Sequence, residues 1–79
     1  MDTAQLVSRR VAAVMGKALT DAGISRREAA DRSGIPLTTL MRRLRGHSPF
    51  TYLELVTLAD IAGVRVSDIA AAAEQQEAS

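Results

Sequence analysis

The sequence has no cysteine. Disulfides and thiolate-held metals are thereby excluded, and the chain fits a reducing compartment. It has no tryptophan, and Phe50 and Tyr52 are its only aromatics, so the core must be aliphatic. Its one histidine, His47, and its scattered acids give no set with metal-ligand spacing. The serines have no evident histidine–acid partners. The five glycines read as helix closures, not as a phosphate-cradling loop. No catalytic residue, metal, cofactor or small-molecule ligand is expected. No apolar run approaches the ~18 residues of a membrane span, and nothing resembles a signal peptide.

What is present is alanine, arginine and a local excess of charge. With 79 residues the expectation is one domain, 1–79. A chain of this size buries only about 60–65% of its unfolded surface, which leaves no room for a large enclosed pocket. Fourteen alanines and few β-branched runs favour helix. Nine of the ten basic residues are arginine. Net charge is only +1, but from Ser25 to His47 six arginines face two acids, Glu28 and Asp31. A near-neutral chain with one basic region presents that region to an anionic partner.

Five helices follow from periodicity and stop signals. Val7, Val11, Val14 and Ala18 recur at helical spacing, widened by Met15, Leu19 and Ala22. They predict a first helix from about Thr3 to Ala22, stopped by Gly23. Ser25-Arg26-Arg27-Glu28 has the capping-box form and opens a second, ended by Gly34. A third runs from Pro36, suited to a first turn, to Arg45 before Gly46. Thr51-Tyr52-Leu53-Glu54 repeats the capping box and opens a fourth, to about Ala62 before Gly63. A fifth is expected from Asp68 to about Gln75 with Ser67 as its cap, and the tail 75–79 is expected to fray.

On a helical wheel the third helix places Leu40 and Leu44 together, facing the core. Thr38, Met41, Arg42 and Arg45 lie opposite; Thr39 and Arg43 lie on one flank and Leu37 on the other. The helix before it carries small Ala29 and Ala30, which permit close approach, and Gly34 permits a sharp bend. Two short helices, a glycine turn and an exposed basic second helix make a helix-turn-helix at about 25–46.

Ala30, Gly34, Ile35, Leu40 and Leu44 have the spacing of the Cro/C1-type helix-turn-helix proteins. The segment "TYLELVTLADIAGVRVSDI" resembles the fourth and fifth helices of that family, with Leu55, Leu58, Ala59, Val64 and Ile69 at core positions. The resemblance implies an all-α, compact five-helix λ-repressor-like domain. It implies a sequence-specific regulator of transcription, a phage or bacterial repressor acting as a homodimer on a double-stranded DNA operator, in the cytoplasm and on the nucleoid. It also implies roles for residues. Leu37, Thr38, Met41 and Arg42 occupy the base-reading positions; Arg42 suits guanine, and Leu37 and Met41 suit thymine methyls. Arg26, where a glutamine is usual, and Arg27, Thr39, Arg43, Arg45 and His47 are the phosphate-binding candidates. The chain departs from the family pattern at Pro36, which lacks a cap hydroxyl, at Leu37, and at Ala62, beside which Ile61 is expected to repack.

The same residues admit plainer readings. Leu37 and Met41 also suit packing, Arg9, Arg10 and Lys17 a solvated face, and His47 an idle surface position. The Ala-rich fifth helix supports a rival function: an interaction module, such as an antitoxin or adaptor, that reuses the fold.

Overall fold

A computed structural model describes residues 3–77, the last of these by its backbone alone. They form α1 (Thr3–Asp21), α2 (Arg26–Ser33), α3 (Leu37–Leu44), α4 (Tyr52–Ala62) and α5 (Val66–Glu77), with no strand among the described residues. The expected all-α, five-helix class is the one observed.

α1 is the central helix and touches α3, α4 and α5. That position corrects the expected stripe. Met15 and Leu19 are fully buried and Val14 nearly so, but Ala12 and Gly16 are buried as well. Val7 is 48% exposed, and Ala22 is exposed. A single apolar stripe presumes one neighbour; a helix packed by three is covered over a wider arc. Gly16 also corrects the reading of the glycines: it lies inside α1, while Gly23, Gly34, Gly46 and Gly63 follow helices with positive φ.

The caps follow the sequence closely at α2 and α4. Ser25 Oγ accepts the Glu28 amide at 3.0 Å, while the Glu28 carboxylate pairs with Arg32 rather than returning to Ser25. Thr51 and Glu54 make both arms of their capping box. At α3, Pro36 is the N-cap residue, one position outside the helix, and contributes no side-chain cap.

α5 departs most. It starts two residues earlier than expected, because the Arg65 amide donates to the Asp68 carboxylate at 3.0 Å. Asp68 thus acts from the third helical position and displaces Ser67 as the capping group. The helix also persists to Glu77 where fraying was expected; Ala78 and Ser79 lie outside the described residues.

Met15, Leu19, Leu40 and Leu58 are the largest fully buried side chains, joined by Ala29, Ala59 and Ile69. Ile61 and Ala62 both pack, half-buried, against this core. Ile61 does not fill all the space beside Ala62: a shallow cleft of about 350 Å³ remains between α1 and α5, lined also by Val14, Val64 and Ala72.

Candidate nucleic-acid interface

The bend between α2 and α3 turns on Gly34, at φ 79°, whose amide donates to Ala30 O at 3.0 Å. Ser33 secures it: its Oγ accepts the Ile35 amide at 3.1 Å and donates to Ala30 O at 3.3 Å. Serine before a helix-closing glycine was the available signal for this role, and the sequence reading missed it. Ala29 and Ala30 are buried under the bend, so α2 lies close against the core.

α3 is seated by Leu40, fully buried, and by Leu44, which packs half-buried against the core. A wheel centred on these leucines leaves Thr38, Arg42 and Arg45 on the opposite side, and all three are exposed. Met41 is half-buried beside them, and Thr39 is half-buried on the flank. One continuous outer face therefore carries a hydroxyl, a thioether and two guanidinium groups.

Two expected site residues are engaged elsewhere. Leu37 packs half-buried against the core, because its wheel position lies roughly 20° from that of Leu44. Much of its side chain is thus given to packing, where an apolar base contact was expected. Arg43 turns away from the outer face: its Nε–H donates to Glu54 Oε1 at 2.9 Å, Nη2 to Oε2 at 3.4 Å and Nη1 to Ser48 Oγ at 2.8 Å. Only 22% of its side chain is exposed. The residue expected to bind phosphate ties α3 to α4. Burial works to raise the Glu54 carboxyl, but the Thr51 amide and the Arg43 guanidinium outweigh it and hold the carboxyl below its ordinary value. An ion pair spanning eleven residues leaves no periodic mark in a sequence.

Arg26 also has an internal partner. Its guanidinium lies over α1 and donates to Gly16 O at 3.4 Å and Thr20 Oγ1 at 3.3 Å. A side chain at position 16 would meet it, since a Cβ there lies 3.2 Å from Nη2. Arg27, the next residue, is exposed.

At the far end of α3, Gly46 is buried against α1, and a Cβ there would lie 2.8 Å from Arg9 Cγ and 3.1 Å from Arg9 Cα. This close approach fixes where the next loop begins. His47 is exposed in that loop, its amide donating to Arg42 O at 3.1 Å. No cluster able to hold a metal ion occurs among the described residues, and none of their helices is long and apolar enough to cross a membrane.

The chain is similar in structure to the clp gene regulator ClgR from Corynebacterium glutamicum, with a TM-score of 0.87. Identity is 22%, and the match covers 91% of this chain and 77% of that one. The two share a fold. No family model matches the sequence, and no curated protein does.

Proposed function

We propose that the protein is a sequence-specific double-stranded DNA-binding regulator of transcription. It is a repressor of the Cro/C1 type, of phage or bacterial kind, that acts as a homodimer by occupying an operator. The observation that carries this reading is the outer face of α3, where Thr38, Arg42 and Arg45 stand opposite the leucines that seat the helix, with Met41 beside them. The fold likeness to a gene regulator supports it.

In this reading α3 enters the major groove. Arg42 forks onto the guanine O6 and N7 acceptors, while Thr38 and Met41 touch thymine methyls or a base edge. Arg27, Arg45, His47 and Thr39 contact phosphates, which set register and carry no sequence information. Arg26 belongs with them and also holds α2 to α1. Leu37 and Arg43 drop out as direct contacts. About three phosphate-binding arginines per subunit then remain, and a dimer should show a log–log salt slope of about −5.

Selection of bound sites from random duplex DNA, followed by titration of variants, tests the reading. Arg42→Ala should lose about 1–3 kcal/mol of discrimination at particular base pairs. Arg27→Ala, which removes one contact from each subunit, should weaken all sequences alike and flatten the dimer's salt slope by about 2. Equal losses on every sequence from both variants would refute the assignment of roles. Absence of any DNA retention at low salt would refute the function.

A further inference from the structure

α4 exposes apolar side chains beside its polar ones. Of its three polar side chains besides Tyr52, Glu54 is tied to Arg43 and Thr51, and Thr57 Oγ1 donates back to Leu53 O at 2.9 Å. The third, Asp60, is exposed. Leu58 and Ala59 face the core, yet Leu53 is 74% exposed, Tyr52 73% and Val56 39%. At helical spacing Tyr52, Val56, Asp60 and Leu53 fall within an arc of roughly 100°. The solvent face of a helix is ordinarily polar. Scattered surface leucines need no explanation, but a contiguous apolar stripe does. Neither the Tyr52 hydroxyl nor the Asp60 carboxylate has a partner among the described residues.

We propose that the Tyr52–Asp60 face of α4 docks a second copy of this chain, the two α4 helices packing antiparallel about a two-fold axis at Val56. This deepens the homodimer in the proposed function by naming its surface, and it does not depend on DNA. A two-fold contact is self-complementary: if residue 52 meets residue 60 of the other chain, the reverse holds as well. The spacing of this stripe meets that condition. With the axis at Val56, each Tyr52 hydroxyl reaches Asp60 of the partner subunit and donates to its carboxylate. The two Val56 side chains meet at the axis, and Leu53 lies beside them. Parallel pairing would instead oppose Asp60 to Asp60, and like charges repel. The contact therefore fixes its own direction. A face of two to three turns is smaller than the ~800 Å² per partner of standard interfaces. The dimer is accordingly weak and concentration-dependent.

The absence of cysteine in the chain allows a direct test. The expected wild-type mass rises from 8.4 kDa toward twice that value with concentration in analytical ultracentrifugation. Leu53→Asp should stay monomeric with unchanged helical circular dichroism, while Val7→Asp, at an exposed apolar position on α1, should associate like wild type. Under mild oxidation Val56→Cys should form a disulfide-linked dimer at least tenfold faster than Val7→Cys. A wild-type dimer that survives Leu53→Asp, or that cross-links faster through position 7, overturns this surface and leaves the homodimer standing. A chain monomeric at every concentration, with and without duplex DNA, overturns both the surface and the homodimer.

Discussion

Arg43 Nε and Glu54 Oε1 lie 2.9 Å apart, fastening the last turn of α3 to the first turn of α4. The same carboxylate oxygen accepts the Thr51 amide, also at 2.9 Å. One carboxylate thus caps α4 and fixes α3 relative to it. The Arg43–Ser48 hydrogen bond adds the connecting loop to the unit. In the proposed function this network sets the angle at which the outer face of α3 meets the groove.

Glu54→Gln should lower stability at neutral pH by about 1–2 kcal/mol, from the weakened cap and the loss of a charge-assisted hydrogen bond. The folded carboxyl lies below its ordinary value, so its contribution is complete above the unfolded value of about 4.3. It is lost as pH falls through the lower folded value. Urea unfolding of wild type and variant across acid pH checks this: the gap between them should close on acidification. A gap that widened would contradict the ion pair.

Gly46→Ala should destabilise more than Gly34→Ala. Both glycines have positive φ, 78° and 79°, so both substitutions strain the backbone by roughly 1 kcal/mol or more. Only at Gly46 does the new methyl also meet a neighbour, the Arg9 backbone. Midpoints of chemical denaturation should rank wild type, then Gly34→Ala, then Gly46→Ala.

Gly16→Ala should stabilise, by up to about 1 kcal/mol, because glycine inside a helix is unfavourable by that amount. The one atom near the added Cβ is Arg26 Nη2, the far end of a flexible side chain that can shift by a few tenths of an ångström. Thermal unfolding reads the sign. A lower midpoint would mean that the Arg26 clasp on α1 is rigid. In the proposed function, Arg26→Ala should cost some stability as well as DNA affinity, and Arg27→Ala affinity alone.

Leu40→Ala and Leu53→Ala separate burial from residue type. Leu40 is fully buried and should cost about 2–5 kcal/mol. That is a large part of the roughly 4–12 kcal/mol available to a domain of this size. Leu53, 74% exposed, should stay within about 0.5 kcal/mol in the monomer. Calorimetry at low concentration distinguishes the two.

The number of helices, the bend at Gly34 and the burial of Leu40 were legible in the sequence because each rests on a local cause. Cap hydroxyls, glycine stops and 3.6-residue periodicity act within a few positions of the residues that carry them. The same locality set the outer face of α3, since Thr38, Arg42 and Arg45 are fixed opposite Leu40 once the helix forms. Tertiary structure decided the rest. Arg26 and Arg43 belong to the same basic cluster as Arg27 and Arg42 and are chemically identical to them. What separates them is a carbonyl on α1 and a carboxylate on α4, ten and eleven residues distant. Likewise Ala12 and Gly16 are buried by what folding lays on α1, for Gly16 the Arg26 guanidinium, and Leu53 stayed exposed because no described residue covers that side of α4. A charge or methyl group acquires its role from what folding brings beside it, and neighbours distant in the chain leave no period to read.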